Sequence, residues 1–490
     1  MSVPKELPPL APRPRDWGFL AALALAAAYA ASVLWVTRTL VGLTPDATEY
    51  AIVARSIVRG TGYAVDMVEF HPGLYASVHH APELHGILQA FLVAALFKVW
   101  GVHAALVKVP AILFAAGTLL VTFVIARRAF GEFAGFLAAV LLLNQVDLTF
   151  IGVLGSDDVA FACLSCVAFH AVERALRTGK RGWTWLAGAA VALATLAKFT
   201  GIVLPVVLTG VALVATRRRA DTLRLCGVVG GSAMAAAIFY MLRNHRAHGT
   251  YGFRFTALDW LSRDQVFAYF AYYDDAPTLM GVWASLGARR VGELIWEQGR
   301  FLATVMTDSP LIHIGGLLAL WVVRRERALV AGGLLLTLAL WFVVCVPYHV
   351  EGRYLLGLFP MYAASLAGAF AIGASRVCRG LGDTALRRLR AVAVVLVALG
   401  GVRGALAVAR FRDLPPTPDR CMDAVTFLRG AAGPDSRVLT SNPWFVAWEA
   451  DLAAVNTPTS GDRHVLKVAE YYRTEWALTG VPTVGSADLA

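Results

Sequence analysis

Long apolar runs govern what this chain can become. Stretches at about 17–40, 104–125, 133–150, 153–171, 183–199, 201–215, 225–242, 310–323, 328–346, 355–374 and 391–409 carry few charges. At 1.5 Å of rise per residue, runs of roughly 17–22 residues match the bilayer's hydrocarbon core. The chain therefore reads as a polytopic α-helical membrane protein of about eleven transmembrane helices. The first run is too long for a cleavable signal, and no small-residue cleavage site follows it. Composition agrees: 58% of residues are hydrophobic and 16% charged, with a mean hydropathy of +0.62. Soluble domains average about 45–50% apolar and about 25% charged. A disordered chain is excluded, and one soluble core is disfavoured. Six cysteines without regular spacing imply no disulfide framework.

The formal charge of +11 would suggest nucleic acid in a soluble protein. Here it sorts by connector. Lys5, Arg13 and Arg15 precede the first span. Arg127-Arg128, Arg174/Arg177/Lys180/Arg181, Arg217-Arg218-Arg219, Arg324-Arg325/Arg327 and the cluster from Arg376 to Arg390 occupy short loops. With the N-terminus inside, all fall on the cytoplasmic side, as the positive-inside rule expects. No nucleic-acid partner is implied. Residues 84–100 look like a further span, but counting them would put every later cluster outside. They read instead as an interfacial or re-entrant helix.

The external pieces are then 41–103, 243–309 and 410–490. Residues 1–409 form the membrane module. Residues 410–490, beyond the Pro415-Pro416-Thr417-Pro418 linker, read as a small extracytoplasmic α/β domain. DAVTFLRGAAG and HVLKVAEYYRT suggest helices, and SRVLTSN suggests a strand and turn.

Ionisable groups near membrane depth usually face a cavity or a partner. Asp46 and Glu49 follow the first span in TPDATEY, beside Tyr50. Asp157 and Asp158 open the fourth in GSDDVAF. His71, His79, His80, Glu83 and His85 crowd the first external loop. Lys198, Arg243 and Arg353 face the same side. Acids and bases thus share one face, suited to an anionic headgroup and to proton removal. Each also has a plain structural reading. Asp46 and Asp157 read equally as helix N-caps. Lys198 and Arg353 read equally as interfacial snorkels. The histidines and Glu83 have metal-ligand chemistry, which keeps a divalent metal ion in view, but their spacing fits no standard zinc pattern. Cys163 and Cys166 form a CxxC inside an apolar span, where packing outweighs metal binding or redox chemistry. The segment DWLSRDQVFAYFAYY (259–273) reads as an interfacial amphipathic helix, with lining of a lipid groove as the alternative.

Four stretches, in order, resemble the GT-C class of membrane glycosyltransferases, in particular the protein O-mannosyltransferase and lipid A aminoarabinose transferase group. They are DATEYAIVARSIVRGTGY (46–63), HHAPELHGILQAFLVAALFKVWG (79–101), WTWLAGAAVALATLAKFTGIVLPVV (183–207) and GRYLLGLFPMYAASLAG (352–368). RNHRAHG (243–249) is a weaker match. The likeness spans about 17–375. Ala47 stands where many relatives have a second acid, Glu49 where the aminoarabinose enzymes have Arg, and Pro82-Glu83 replaces a double proline.

The resemblance implies inverting transfer of a hexosyl or pentosyl group from a polyprenyl-phosphate donor to an acceptor hydroxyl. The reaction would occur at the outer face of the bacterial cytoplasmic membrane. Asp46 would be the catalytic base. Arg353, Lys198 and Arg243 would hold the donor phosphate. Glu49, Asp157, Asp158, His80 and Glu83 are candidates for an acceptor or cation site, and Tyr50, Tyr354 and His349 for the pocket. Acceptors of this kind are protein, lipid A or an envelope glycan, and membrane lipid surrounds the whole. The competing class is a secondary transporter or a binding protein for lipid-linked substrates. Transporter sites lie at mid-bilayer, often within repeats; here the ionisable groups lie at one face.

Overall fold

The computed structural model describes residues 17–37, 43–68, 74–82, 86–145, 154–215, 219–249, 254–264, 277–308, 310–345, 352–377, 419–458 and 462–478, with a few isolated positions between them. Helices that are apolar on every side must be covered by protein or lipid, and this chain supplies them in succession. α1 (Trp17–Thr37) and α2 (Pro45–Arg59) precede the strands β1 (Val65–Val68) and β2 (His79–His80). Then come α3 (Ile87–Trp100), α4 (Ala104–Phe130), α5 (Glu132–Leu143), α6 (Asp158–Thr178) and α7 (Arg181–Ala197). A 3-10 turn (Phe199–Val203) leads into α8 (Leu204–Ala215) and α9 (Arg219–His248). α10 (Arg254–Asp264), α11 (Leu279–Asp308), α12 (Pro310–Val322) and α13 (Arg327–Cys345) follow, then a second 3-10 segment (Gly352–Leu358) and α14 (Phe359–Val377). The C-terminal part runs α15 (Asp419–Ala431), β3 (Arg437–Thr440), β4 (Ala453–Asn456), α16 (Asp462–Tyr471) and β5 (Trp476–Leu478).

Each expected span between 17 and 374 overlaps a helix, whereas 391–409 lies, apart from isolated positions, outside the described residues. Among the described residues, Gly18–Trp35, Ala104–Phe130, Asp158–Thr178, Ala220–His248 and Arg353–Val377 are long and apolar enough to cross a membrane. Ile87–Trp100, Glu132–Leu143, Phe199–Ala215 and Arg327–Val343 are shorter apolar helices. α3, at 14 residues, extends about 21 Å, short of the ≈ 30 Å core. Its Ala90, Val93, Ala94 and Phe97 pack with α2 and with Val446 and Ala447 of the C-terminal part. α3 thus belongs to the layer capping the bundle.

The bundle core draws Leu119, Leu142, Phe161, Val172, Val211, Leu340 and Tyr362 from helices α4 to α14. Small residues let these helices approach closely. A Cβ on Gly188 would come 2.7 Å from Ser232 Oγ, and one on Gly316 would collide with Tyr362. Cys163 and Cys166 are buried, free thiols within α6, consistent with a packing role.

At one end of the bundle, the basic connectors converge. Glu173 pairs with Arg128 at 3.4 Å and Arg177 at 2.6 Å, and Arg177 reaches Glu326 at 3.6 Å. Gly18, at the start of α1, sits against Glu132. Among the described residues, the connectors that carry Arg128, Arg177 and Glu326 therefore share one end, while the N-terminal cluster, Arg217 and Arg218 lie outside the described residues.

The other end carries a five-stranded sheet of order β2-β1-β4-β3-β5. β1 pairs with β4 in parallel, Met67 opposite Ala454 and Val68 opposite Val455, while β2 is antiparallel to β1. Two of the strands come from the segment between α2 and α3, so the C-terminal unit and that segment share one sheet. Arg55 strengthens the join. Its side chain is 7% exposed and donates to Ala447 O (2.7 Å) and Trp448 O (3.2 Å), with Asp451 3.1 Å away. Arg59 forms a two-pronged pair with the same aspartate at 2.9 and 2.6 Å. Asp451 adopts the left-handed conformation (φ 56, ψ 39), which aspartate tolerates better than most residues. Burial opposes its charge. The Arg59 hydrogen bond and the charges of Arg55, Arg59 and Arg429 outweigh that and hold its carboxyl below the ordinary range.

Candidate functional site

The site is assembled where helices break. α2 begins with Thr44 as its N-cap: the hydroxyl accepts from Ala47 N at 3.4 Å, and Pro45 takes the first helical position. Because Thr44 fills the cap, Asp46 does not, and the capping reading of Asp46 is corrected. Its carboxylate instead accepts from Arg353 Nη1. Both side chains are about a quarter exposed, at 23% and 22%.

Arg353 comes from the 3-10 segment that precedes α14. Irregular backbone of this kind is tolerated at membrane depth only where protein or an aqueous cavity satisfies it. Arg353 Nε also lies 3.6 Å from Asp158 Oδ2. Asp158 is 3% exposed. It accepts from Ser156 Oγ at 2.8 Å and from Lys198 Nζ. Lys198 sits between α7 and the 3-10 turn in an extended conformation (φ −148, ψ 127). That break turns its ammonium inward, 3.9 Å from the ring centroid of Tyr354. A chain of alternating charge results: Asp46, Arg353, Asp158, Lys198. The snorkelling reading of Lys198 and Arg353 is replaced by inward ion pairing.

A second group of residues holds the loop beside this chain. Asp157 occupies the N-cap position of α6 but makes no side-chain cap bond; its Oδ2 accepts from Gly86 N at 3.3 Å. Arg243 Nη2 donates to Pro82 O at 2.6 Å, and its guanidinium lies 5.5 Å from the ring centroids of both Tyr63 and Tyr240. Tyr240 accepts from Ile87 N (3.2 Å) and donates to Leu196 O (3.0 Å). A Cβ on Gly86 would collide with Ala197 O, so glycine alone lets the loop approach the end of α7. Arg243 and Asp157 thus hold the loop beside the Asp46–Lys198 chain.

Glu49 and Tyr50 follow Asp46 on α2 and are buried. Burial, then the charges of Asp157, Asp46, Glu49 and Asp158, push the Tyr50 phenol far above its ordinary value. It stays neutral, a hydrogen-bond donor within the field of four acids. His80 is held in the β1–β2 hairpin. Its ring nitrogens face Met67 O and Ala81 O, both at 3.0 Å, and the ring stacks on Tyr75. Neither nitrogen is presented to a cation. Glu83 and His349 lie outside the described residues, as do His71 and His85. Among the described residues no group of three or more His, Cys, Asp or Glu is arranged to hold a metal ion. Asp46 and Asp158 are matched in charge by Arg353 and Lys198, so these two carboxylates do not call for a divalent cation.

Sequence reasoning missed Ser156, Gly86, Tyr240 and Gln89. Gln89 is 1% exposed and donates to Val107 O and Gly155 O. For Gln89 and Tyr240 the available signal was polarity inside apolar helices, which marks groups that need a partner; Gly86 and Ser156 carried none.

The family model for dolichyl-phosphate-mannose-protein mannosyltransferase matches residues 84–242. No curated protein sequence matches the chain. Among solved structures, ArnT from Cupriavidus metallidurans bound to undecaprenyl phosphate is similar, with a TM-score of 0.57 at 13% identity. The match covers 94% of this chain and 90% of that one. The Archaeoglobus fulgidus oligosaccharyltransferase tethered to an acceptor peptide containing the NVT sequon gives 0.56 at 14% identity, over 94% and 68%. The same organism's AglB, in complex with an inhibitory peptide and a dolichol-phosphate, gives 0.56 at 12%, over 94% and 69%. The fold of this chain is that of the GT-C class of membrane glycosyltransferases.

Proposed function

We propose that this protein transfers one sugar from a polyprenyl-phosphate carrier to an acceptor hydroxyl, with inversion, at the outer face of a bacterial cytoplasmic membrane. The observation that carries the reading is Arg353 standing between Asp46 and Asp158 with Lys198 alongside. A donor phosphate brought to Arg353 competes with Asp46 for its guanidinium. Donor binding therefore frees the carboxylate that must act as base. Asp46 takes the proton of the acceptor hydroxyl as its oxygen bonds to the anomeric carbon. The bond from that carbon to the phosphate oxygen breaks on the opposite side, and its electrons leave with the lipid phosphate. Charge-assisted hydrogen bonds from Arg353 and Lys198 stabilise the negative charge that develops there. Asp158, buried and acceptor-only, keeps both cations aimed. No step runs through a metal ion.

The basic end of the bundle, with the start of α1, faces the cytoplasm in this reading. The sheet lies outside and contributes to the choice of acceptor, whether protein, lipid A or envelope glycan. The solved relatives named above, two of them holding a lipid phosphate, support a carrier of this class. The test is incubation of the purified protein with labelled polyprenyl-phosphate sugars and an envelope extract. Transfer of label with release of lipid phosphate is expected. Movement of the lipid-linked sugar across a vesicle membrane without transfer would overturn the reading in favour of a transporter.

A further inference from the structure

The end of the bundle opposite Asp46 contains a cavity that no step of this chemistry uses. It has a volume of about 690 Å³ and lies among the turn that joins α4 to α5, the turn that joins α12 to α13, and the last turn of α14. Three arginines, Arg324, Arg325 and Arg376, line it together with Ser375. All three are exposed, and among the described residues none is paired with a carboxylate. The one acid in the lining, Glu326, is engaged by Arg177 at 3.6 Å. The remaining lining is apolar and includes Phe130, Phe133 and Ile372. At its edge Trp321 is 72% exposed and Val322 47% exposed. Arg324 lies over the Trp321 ring, 5.4 Å from its centroid. An exposed indole beside basic groups at the end of an apolar helix marks the boundary between hydrocarbon and headgroups.

We propose that this cavity binds the headgroup of an anionic phospholipid. The phosphate meets Arg324, Arg325 and Arg376 beside Ser375, whose own proton is held by Ala371 O at 2.8 Å, and the acyl chains run past Val322 and Trp321 into the bilayer. Basic pockets between membrane helices on the cytoplasmic side suit this class of lipid. The volume falls in the range of small-molecule sites, about 300–1,000 Å³. The apolar wall distinguishes a lipid from a free phosphate, which would gain nothing from it. The site does not overlap the donor site. Arg353 precedes α14 and Arg376 lies near its end, and 19 residues of helix separate the two ends by about 28 Å. The inference stands whether or not the sugar-transfer reading holds.

The experiment is native mass spectrometry of the full-length protein, delipidated in detergent and titrated with phosphatidylglycerol, phosphatidylcholine or inorganic phosphate. The wild type is expected to retain phosphatidylglycerol in preference to phosphatidylcholine. The Arg325→Ala/Arg376→Ala variant should bind phosphatidylglycerol about 30-fold more weakly, the effect of two basic residues at a charged membrane surface. Ser375→Trp, which fills the cavity without changing charge, should also lose the lipid. Millimolar phosphate should not displace it. Equal retention of the two lipids by the wild type overturns the proposal. So does unchanged binding in both variants. Displacement by phosphate as effective as by lipid would make the occupant a soluble anion and overturn the lipid assignment.

Discussion

Replacing Asp46 with Asn separates the base from every other role the residue has. Asparagine keeps an acceptor oxygen for Arg353 Nη1, so the geometry at the start of α2 survives. Thr44 supplies the cap independently. The pair it weakens is about a quarter exposed on each side, where an ion pair contributes about 1 kcal/mol or less. Stability should therefore fall only slightly. Turnover should fall by about 10²–10⁴, the usual worth of a positioned base, which is about 2.7–5.5 kcal/mol on the barrier. Donor affinity should move the other way or stay level, because the phosphate no longer competes with a carboxylate for Arg353. Single-turnover assays with labelled donor give the rate, and equilibrium binding of the same donor gives the affinity. Turnover close to wild type would refute the base assignment. A large loss of donor affinity with turnover intact would refute the competition for Arg353.

Arg353→Ala should weaken donor binding by about 10–100-fold, the value of losing a charge-assisted hydrogen bond at about 1.5–3 kcal/mol, measured by donor titration; unchanged affinity would return Arg353 to a structural role. Arg55→Ala removes two hydrogen bonds and a cation–π contact 5.2 Å from the Trp448 centroid. It should loosen the sheet from α2 by about 2–4 kcal/mol, seen as earlier proteolytic release of residues 419–478. Asp451 has a folded pKa held below its ordinary value of 3.8. Its stabilising contribution is thus complete above that pH and lost as pH falls through the lower folded value. Hydrogen exchange across 437–456 should rise in acid for the wild type, with a flatter response in Asp451→Asn. Gly86→Ala forces the loop away from Ala197 and should cost activity and about 1–3 kcal/mol of stability, checked by thermal unfolding alongside turnover.

The helices were legible because hydropathy is local: a run of apolar residues forms a helix whatever surrounds it. The basic connectors were legible for a related reason, since charge near a short apolar run reports on where that run ends. What joins Asp46 to Arg353 is different. They are 307 residues apart, and no local pattern records that their helices end at the same depth. Thr44, two residues before Asp46, carries a cap signature of its own, and reading it would have released Asp46 from the capping role at once. Lys198 shows the limit from the other side. The break between the runs 183–199 and 201–215 was visible in the sequence, but nothing local records that it turns the Lys198 ammonium inward onto Asp158, 40 residues earlier. The sheet was half visible. β3 and α16 have clear apolar patterns, but β1 is four residues long and acquires its meaning from β4.

That pairing sets an order of events during biogenesis. β1 leaves the ribosome early, yet its parallel partner β4 lies beyond every helix of the bundle. At translation rates of about 5–20 residues per second, the edge of β1 waits roughly 20–80 s for residues 453–456. An unpaired edge is a template for wrong partners, and α2, which carries Asp46, lacks its Arg55 anchor for the same interval. The helix with the proposed base is thus secured only after every helix of the bundle has been made, which delays a working site until the surrounding bundle is complete.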